Sequence, residues 1–331
     1  MTKWKSLIFL LGGLFIILLI VHAAGAGDVI EEVRQADPLM FGLALVCQSA
    51  AVLMWSVRWK ILLKPFHSVA LKNSLLGILV GLFFNNITPI ARAGGEPFRA
   101  YFIERKEGVD FEDAFATVAI DRILDSFPFM IIIAFSLAYF IIILDISAQM
   151  IVVLFLAFLF NLILLSLVLY FSFSLKAAKK LMFSLFRIFA KFSKRLKRYE
   201  SQVEKAVEQY HSAIRTLSSQ ERDLAVSLSI SFVFWLLAVL RNYLVVLALG
   251  YQVDFMVIVV VQMVGTLAGI LPIFPGGLGS IDGVMVFLYL SFDFPAPLAV
   301  TASLLDRFIS FWITTAVCGV CVFLERGFLQ D

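Results

Sequence analysis

The sequence predicts an all-α polytopic membrane protein, with six spanning helices and two re-entrant hairpins broken by Pro and Gly, arranged as an inverted-topology repeat. Three observations lead there. Of 331 residues, 61% are hydrophobic and only 15% charged, against roughly 25% charged in soluble domains. Apolar runs of about 20 residues, the length that crosses a bilayer, recur along the chain. One polar signature also occurs twice. Its first copy is Arg58, then Asn85-Asn86-Ile87-Thr88-Pro89, Gly94-Gly95-Glu96 and Asp121-Arg122. Its second is Arg241, then Leu271-Pro272, Pro275-Gly276-Gly277-Leu278-Gly279 and Asp306-Arg307. Arg58 precedes Pro89 by 31 residues, as Arg241 precedes Pro272; Asp121 follows Pro89 by 32 and Asp306 follows Pro272 by 34. Matched helix breaks with matched charges point to a transport site.

The elements follow in chain order. Residues 1–145 form a first repeat of spans 6–25 and 38–63, a hairpin over 70–92 and a span over 115–144. Residues 146–331 form a second: span 148–175, an amphipathic segment 176–222, span 224–250, a hairpin over 255–292 and span 298–324. Lys3 and Lys5, the apolar run and Ala23-Ala24-Gly25-Ala26 have the outline of a signal peptide. The repeat argues that 6–25 is retained, because its counterpart 148–175 cannot be cleaved.

Basic loops set the orientation. Segment 176–199 holds nine Lys or Arg and no acid, which places it in the cytoplasm. The loop 99–112 and the loop around Lys60, Lys64 and Lys72 then also lie inside, as do both termini. Hairpin 70–92 begins and ends inside, and hairpin 255–292 begins and ends outside. Only Arg34, of 27 Lys and Arg, falls in an external loop. The two halves therefore superimpose with opposite orientation in the cell membrane.

The composition offers little to catalysis. Cys47, Cys318 and Cys321 lie in apolar runs, and the C-x-x-C at Cys318 has no second Cys or His pair, so packing explains it better than metal or redox chemistry. His22, His67 and His211 share no ligand spacing. No nucleophile–base pair and no ATP-binding loop stands out. The reading therefore has no catalytic residue, no metal and no cofactor, and no nucleic-acid partner.

The candidate site gathers at the breaks. Irregular backbone survives at membrane depth only beside protein or a water-filled cavity. Asn85, Asn86, Thr88 and Pro89 put amides and a hydroxyl at the first tip. Gly94-Gly95 and Gly276-Gly277 let the chain reverse and approach a ligand closely. A helix that starts just after such a turn turns free N–H groups toward an anion, and a lipid phosphate fits. The bland alternative is a pair of turns made for packing.

Charges inside spans are costly and functional by default. Arg241, Asp306 and Arg307 lie within spans, and Asp121, Arg122 and Asp125 lie near the cytoplasmic end of theirs. Neighbouring Asp and Arg residues do not face each other on a helix, so each pairs with another segment. In one scheme Arg58 and Arg241 reach a lipid phosphate while Asp121 and Asp306 hold them or carry protons; in the other these are structural ion pairs that lock the repeats together. Arg92, Glu96 and Arg99 follow the first tip, where a bidentate Arg suits phosphate. The second half has Leu278 where the first has Glu96, and Asp282 is its nearest acid, so the first half is the better anion site. Lys179 to Arg198 interleaves Phe183, Phe186, Phe189 and Phe192 with basic residues, as in an amphipathic helix on an anionic leaflet.

The combination Thr88-Pro89, Gly94-Gly95-Glu96, Arg99, Pro275-Gly276-Gly277-Leu278-Gly279 and Asp306-Arg307 resembles the lysylphosphatidylglycerol synthase transmembrane region, the flippase-like UPF0104 family, over roughly residues 5–325. The resemblance implies movement of phospholipid between leaflets. It puts Pro89, Gly94, Gly95, Glu96, Arg99, Pro275, Gly276, Gly277 and Gly279 at the lipid site, with Asp282 in place of a Glu frequent in the family. Fused members carry a soluble aminoacyltransferase domain that does not follow here, so the resemblance implies translocation rather than aminoacyl transfer.

Combined, the candidate substrate-binding residues are Arg58, Asn85, Asn86, Pro89, Arg92, Gly94, Gly95, Glu96, Arg99, Asp121, Arg122, Arg241, Pro272, Pro275, Gly276, Gly277, Gly279, Asp282, Asp306 and Arg307. The expected ligand is an anionic or aminoacylated phospholipid, or a polyprenyl-phosphate lipid. Two rivals stand beside translocation: a membrane-embedded lipid transferase of the phosphatidylglycerol lysyltransferase type, for which Glu31-Glu32-x-Arg34 supplies a few external acids, and a scaffold for a separate lipid-modifying synthase. Oligomerisation is left open.

Overall fold

The computed structural model describes residues 3–88, 94–142, 148–192, 200–269 and 274–329. Among them every regular element is a helix. Four helices are long and apolar enough to cross a membrane: Pro38–Leu63, Ile151–Phe173, Glu221–Ala248 and Ala296–Leu324. A fifth span results if Leu11–Ala24 and Ala26–Gln35, bent by 89°, are counted as one.

In chain order, α1 is Lys3–Ala24, α2 Ala26–Gln35, α3 Pro38–Leu63, α4 Leu71–Ile87, α5 Glu96–Glu107 and α6 Phe111–Ile142. Then come α7 Ala148–Phe173, α8 Leu175–Phe192, α9 Glu200–Ser218 and α10 Glu221–Ala248. The chain continues through α11 Phe255–Ala268, α12 Ser280–Ser291 and α13 Ala296–Arg307. The wide π-helical stretch Phe308–Ile313 then leads into α14 Thr314–Leu324. Local chemistry sets several ends. The Asp37 carboxylate accepts the Leu39 and Met40 N–H groups ahead of Pro38, a capped start with proline in the first turn. Asp254 caps α11 through the Met256 N–H, and Gly108, at φ 70°, ends α5.

The apolar breaks at 70–92 and 255–292 become helix–tip–helix units. At 1.5 Å rise per residue, α4 is about 26 Å long and α11 about 21 Å, short of a hydrocarbon core of about 30 Å. Each is followed by a returning helix packed against it: α5 against α4, and α12 against α11. The first unit thus extends beyond the sequence boundary at 92. Most of the loop expected over 99–112 is instead helical, in a helix that starts at Glu96 and buries Arg99, Ala100, Phe102 and Ile103. Its charges read as a loop, yet one face is packed, and Pro97 in the first turn starts it.

Several helix contacts recur along the chain. Helix α3 packs on α4 and α6, and α10 packs on α11 and α13. Helix α4 also packs on α14, as α11 does on α6. Two apolar cores form. One gathers Trp59, Leu62, Ile78, Phe102 and Val118; the other gathers Val246, Ile258, Val261, Leu288 and Ala299. Each draws side chains from both parts of the chain: Leu165, Ile214 and Val322 join the first, and Val29, Phe129 and Ile133 join the second. Between them α3 and α10 run packed along each other. Helix α1 crosses to the second half, where Gly13 lies so close to the second tip that a Cβ there would sit 3.0 Å from the Leu278 carbonyl oxygen. Large apolar side chains remain exposed on α1, α3, α7 and α14, among them Phe15, Val46, Tyr170 and Phe323.

Candidate functional site

Two buried ion clusters flank the α3–α10 contact. In the first, Arg58 on α3 donates from Nε to Asp121 Oδ1 on α6 at 2.7 Å and from Nη1 to Asp125 and to Ser231. Asp121 also accepts from Trp55 Nε1 at 2.8 Å and from Arg99 Nη2 at 2.7 Å. Arg122, the next residue on α6, turns the other way and donates from Nε to Glu96 Oε1 at 2.9 Å and from Nη2 to the same oxygen. The Trp55 ring has a guanidinium over it twice, Arg99 at 5.5 Å and Arg122 at 5.2 Å. Such cation–π contacts gain strength when desolvated.

In the second cluster, Arg241 on α10 donates from Nε to Asp306 Oδ1 at 2.7 Å and from Nη2 to Asp306 Oδ2 at 3.0 Å. Its Nη1 reaches across the halves to Gln48 Oε1 on α3 at 2.6 Å. Behind it, Tyr289 donates to Asn242 Oδ1 at 2.7 Å, and the Asn242 amide donates to Gln262 Oε1 at 3.2 Å. Arg307 donates from Nη2 to the Gly276 carbonyl at 2.8 Å and lies over Phe311 at 4.8 Å. Asp282 sits 3.7 Å from Arg307 Nε and accepts the Gly279 N–H at 2.9 Å, so the chain's own carboxylate holds the start of α12.

The two tips meet. Gly276 has φ 59°, and a Cβ on it would lie 3.1 Å from the Asn86 carbonyl oxygen, so only glycine fits there. At the first tip the Gly95 N–H donates to Asn85 Oδ1 at 2.7 Å, and Asn86 donates to Thr315 Oγ1 on α14 at 2.7 Å. The wide turn Phe308–Ile313 carries Phe311 to Gly276. Its loosened carbonyl at Ile309 takes the Thr314 hydroxyl at 2.9 Å. Such π-turns are frequent at functional sites.

A cavity of about 420 Å³ lies where the clusters approach each other, within the range of small-ligand sites, about 300–1,000 Å³. Six ionisable residues line it: Glu96, Arg122 and Asp125 from the first half, and Arg241, Asp306 and Arg307 from the second. Asn85, Asn86, Gln48, Gln262 and Asn161 add amides. Leu164, Leu165 and Val168 on α7 and Phe234 and Trp235 on α10 form an apolar flank. The Arg122 side chain is 37% exposed, whereas Arg241 and Arg307 are each 6% exposed.

The candidates from sequence divide by depth. Asn85, Asn86, Glu96, Arg122, Arg241, Asp306 and Arg307 line the cavity. Arg58, Arg99 and Asp121 are packed behind it as its inner support. Gly94, Gly95, Pro275, Gly276, Gly277, Gly279 and Asp282 build the tips and the start of α12. Pro89, Arg92 and Pro272 lie outside the described residues. Gln48, Trp55, Asn161 and Gln262 were not singled out. Each is one polar or indole group in an apolar run, and that isolation is the only mark of them in the sequence. Among the described residues no group of His, Cys, Asp and Glu is arranged to hold a metal ion.

The fold and site define a multi-helix integral membrane protein with a charged internal cavity. The chain belongs to the lysylphosphatidylglycerol synthase TM region family, which matches residues 5–318. It is 30% identical over 317 residues to a UPF0104 membrane protein of Methanothermobacter thermautotrophicus, covering 95% of this chain and 94% of the relative. It is also 30% identical over 333 residues to a UPF0104 membrane protein of Pyrococcus horikoshii, covering 98% of each. A UPF0104 membrane protein of Methanocaldococcus jannaschii is 29% identical over 330 residues, covering 97% of this chain and 95% of the relative.

Proposed function

We propose that this protein is a lipid translocase of the cell membrane, which binds a phosphate-bearing headgroup in the cavity between its two hairpins. The supporting observation is the convergence of six ionisable side chains, three from each half, on one cavity with an apolar flank. Charges at that depth are costly without a function, and an amphipathic ligand satisfies both surfaces. The family name ties the fold to lysylphosphatidylglycerol, a phospholipid.

In this reading α1, α3, α6, α7, α10 and the α13–α14 helix are six spans. The α4–α5 unit enters from the cytoplasm and the α11–α12 unit from outside. That arrangement is an inverted repeat with both termini inside. Arg122, the most open of the cavity's guanidiniums, takes the phosphate, with Arg241 and Arg307 facing it from the other half. Asn85 and Asn86 bond headgroup hydroxyls or amines. The acyl chains leave between α7 and α10, past Val168 and Phe234. Alternating exposure of the cavity past one tip or the other carries the headgroup across, with a net direction set by lipid supply or a coupled ion. The basic face of α8 gathers anionic lipid at the cytoplasmic leaflet.

The test is reconstitution into phosphatidylcholine vesicles containing a trace of fluorescent phosphatidylglycerol, with dithionite reading out its movement between leaflets. Acceleration over protein-free vesicles, reduced at least tenfold by Arg122→Ala and by Arg241→Ala, supports translocation. No acceleration contradicts it. Product formation by the purified protein from an aminoacyl or glycosyl donor would instead establish a transferase.

A further inference from the structure

We infer that lipid binding at this site is an exchange with a proton: the headgroup phosphate takes Arg122 from Glu96, and Glu96 takes up one proton from solvent. This rests on the lipid reading above. Its starting point is charge balance. In the first cluster Arg58, Arg99 and Arg122 meet Glu96, Asp121 and Asp125. In the second, Arg241 and Arg307 meet Asp306 and Asp282. Three cations face three anions, and two face two. A phosphate entering the cavity therefore brings a negative charge with no spare cation to receive it, which is costly away from water. Neutralising one carboxylate restores the balance.

Geometry selects the carboxylate. Asp121 is fully buried and accepts three N–H donors. Asp306 is gripped by Nε and Nη2 of Arg241. Asp125 is hydrogen-bonded by Arg58, which is itself enclosed, and stands 3.6 Å from Arg122 Nη1 with no hydrogen bond to it. Asp282 is not among the residues lining the cavity. Glu96 differs. Its Oε1 takes both donors from the one guanidinium that is substantially open, and its Oε2 is buried with no hydrogen-bond partner, 3.7 Å from Arg99 Nε.

A phosphate approaching Arg122 competes for the same two-donor edge that Glu96 occupies, the edge suited to bidentate oxyanion binding. With the phosphate on Arg122, the Glu96 carboxylate has lost its paired cation in an enclosed site, and a phosphodiester is far too acidic to take the proton itself. The step is balanced: the Glu96–Arg122 pair breaks, a phosphate–Arg122 pair forms, and the proton ends on Glu96 Oε2. Charges facing Glu96 are Arg99 on its own helix and Asp121, Arg122 and Asp125 on α6. Across the cavity stand Arg241, Asp306 and Arg307; α4 contributes the neutral Asn85 and Asn86. Arg99 stays in place when Glu96 is neutral, because Asp121 holds it at 2.7 Å and Trp59 lies 4.4 Å below it.

The experiment is calorimetric titration of the detergent-solubilised full chain with dioleoylphosphatidylglycerol, in two buffers of different ionisation enthalpy. The expected result for wild type is uptake of one proton per lipid, with Kd weakening about tenfold per pH unit wherever that uptake is complete. Glu96→Gln should bind with no uptake and a flat pH profile. Zero uptake in wild type, or uptake undiminished in Glu96→Gln, overturns the exchange; the wild-type measurement decides even where the variant fails to fold. Lipid that binds and moves between leaflets without proton uptake removes the exchange alone. Lipid that neither binds nor moves removes the translocase reading with it.

Discussion

Arg241 donates from Nε to Asp306 across 2.7 Å, the same bond at the same distance that Arg58 makes to Asp121 in the other half. The partners are 65 residues apart in one case and 63 in the other. One bond ties α3 to α6 and the other ties α10 to α13, and in each case a helix–tip–helix unit lies between the partners along the chain. Removing one partner leaves an uncompensated charge in the interior, a loss of about 3–5 kcal/mol. We expect Arg241→Met and Asp306→Leu each to lower stability by that order in chemical unfolding of the purified protein. The double variant should recover most of the loss, because no charge is left alone. A double variant as unstable as the sum of the singles contradicts this.

Gly276 holds the two tips together. Its φ of 59° is strained for any other residue, and a Cβ would collide with the Phe311 ring. Gly108, at φ 70°, has open space around it. Gly276→Ala should therefore cost clearly more than Gly108→Ala, which bears only the left-handed backbone penalty of about 1–2 kcal/mol. Thermal unfolding of the two variants side by side reads the difference; equal melting temperatures would show that the tips do not depend on their contact.

The inverted repeat proposed above predicts opposite exposure of two loops. Gly108 follows α5 and the exposed Asp293 follows α12. In a background lacking Cys47, Cys318 and Cys321, Gly108→Cys should react with a membrane-impermeant maleimide only after the cells are opened. Asp293→Cys should react in intact cells. Labelling of both from one side sinks the inverted repeat.

His211 makes stability depend on pH. It is buried on α9 with Nε2 unpartnered, and burial, with Arg215 beside it, holds its proton affinity below the ordinary value of 6.5. Between the lowered folded value and 6.5 the unfolded chain binds the proton and the folded chain does not, so stability rises with pH. It should be complete above about pH 6.5 and decline as pH falls below it. Melting curves at pH 8 and pH 5.5 should show the decline in wild type, and His211→Phe should reduce it. An unchanged pH response in that variant contradicts the assignment.

Four of the six expected spans, 38–63, 148–175, 224–250 and 298–324, coincide with helices long and apolar enough to cross a membrane, because apolar runs and their ends are local properties. The run 38–63 coincides with α3, where Asp37 and Pro38 mark the start. The returning arm α5 was not legible, since Glu104, Arg105, Lys106 and Glu107 read as a loop while Phe102 and Ile103 on the same helix are buried. Adjacency of Asp121 and Arg122 indicated that they point to different partners, but not which ones. That depends on how α3, α5 and α6 cross. Crossing also decides that Arg58 lies behind Trp55 and Asp121 while Arg122 opens to the cavity. Asn161, the amide that α7 contributes to the cavity, has no counterpart at a matched position, so a search by repeat passes over it.

The most direct test of the central claim is a structure of the protein extracted with its native lipids and held in a nanodisc. Translocation through this cavity requires headgroup density between the hairpin tips, with phosphate oxygens within hydrogen-bonding distance of Arg122 and acyl chains leaving between α7 and α10. A cavity holding water alone, with lipid confined to the outer faces of α7 and α14, would contradict it.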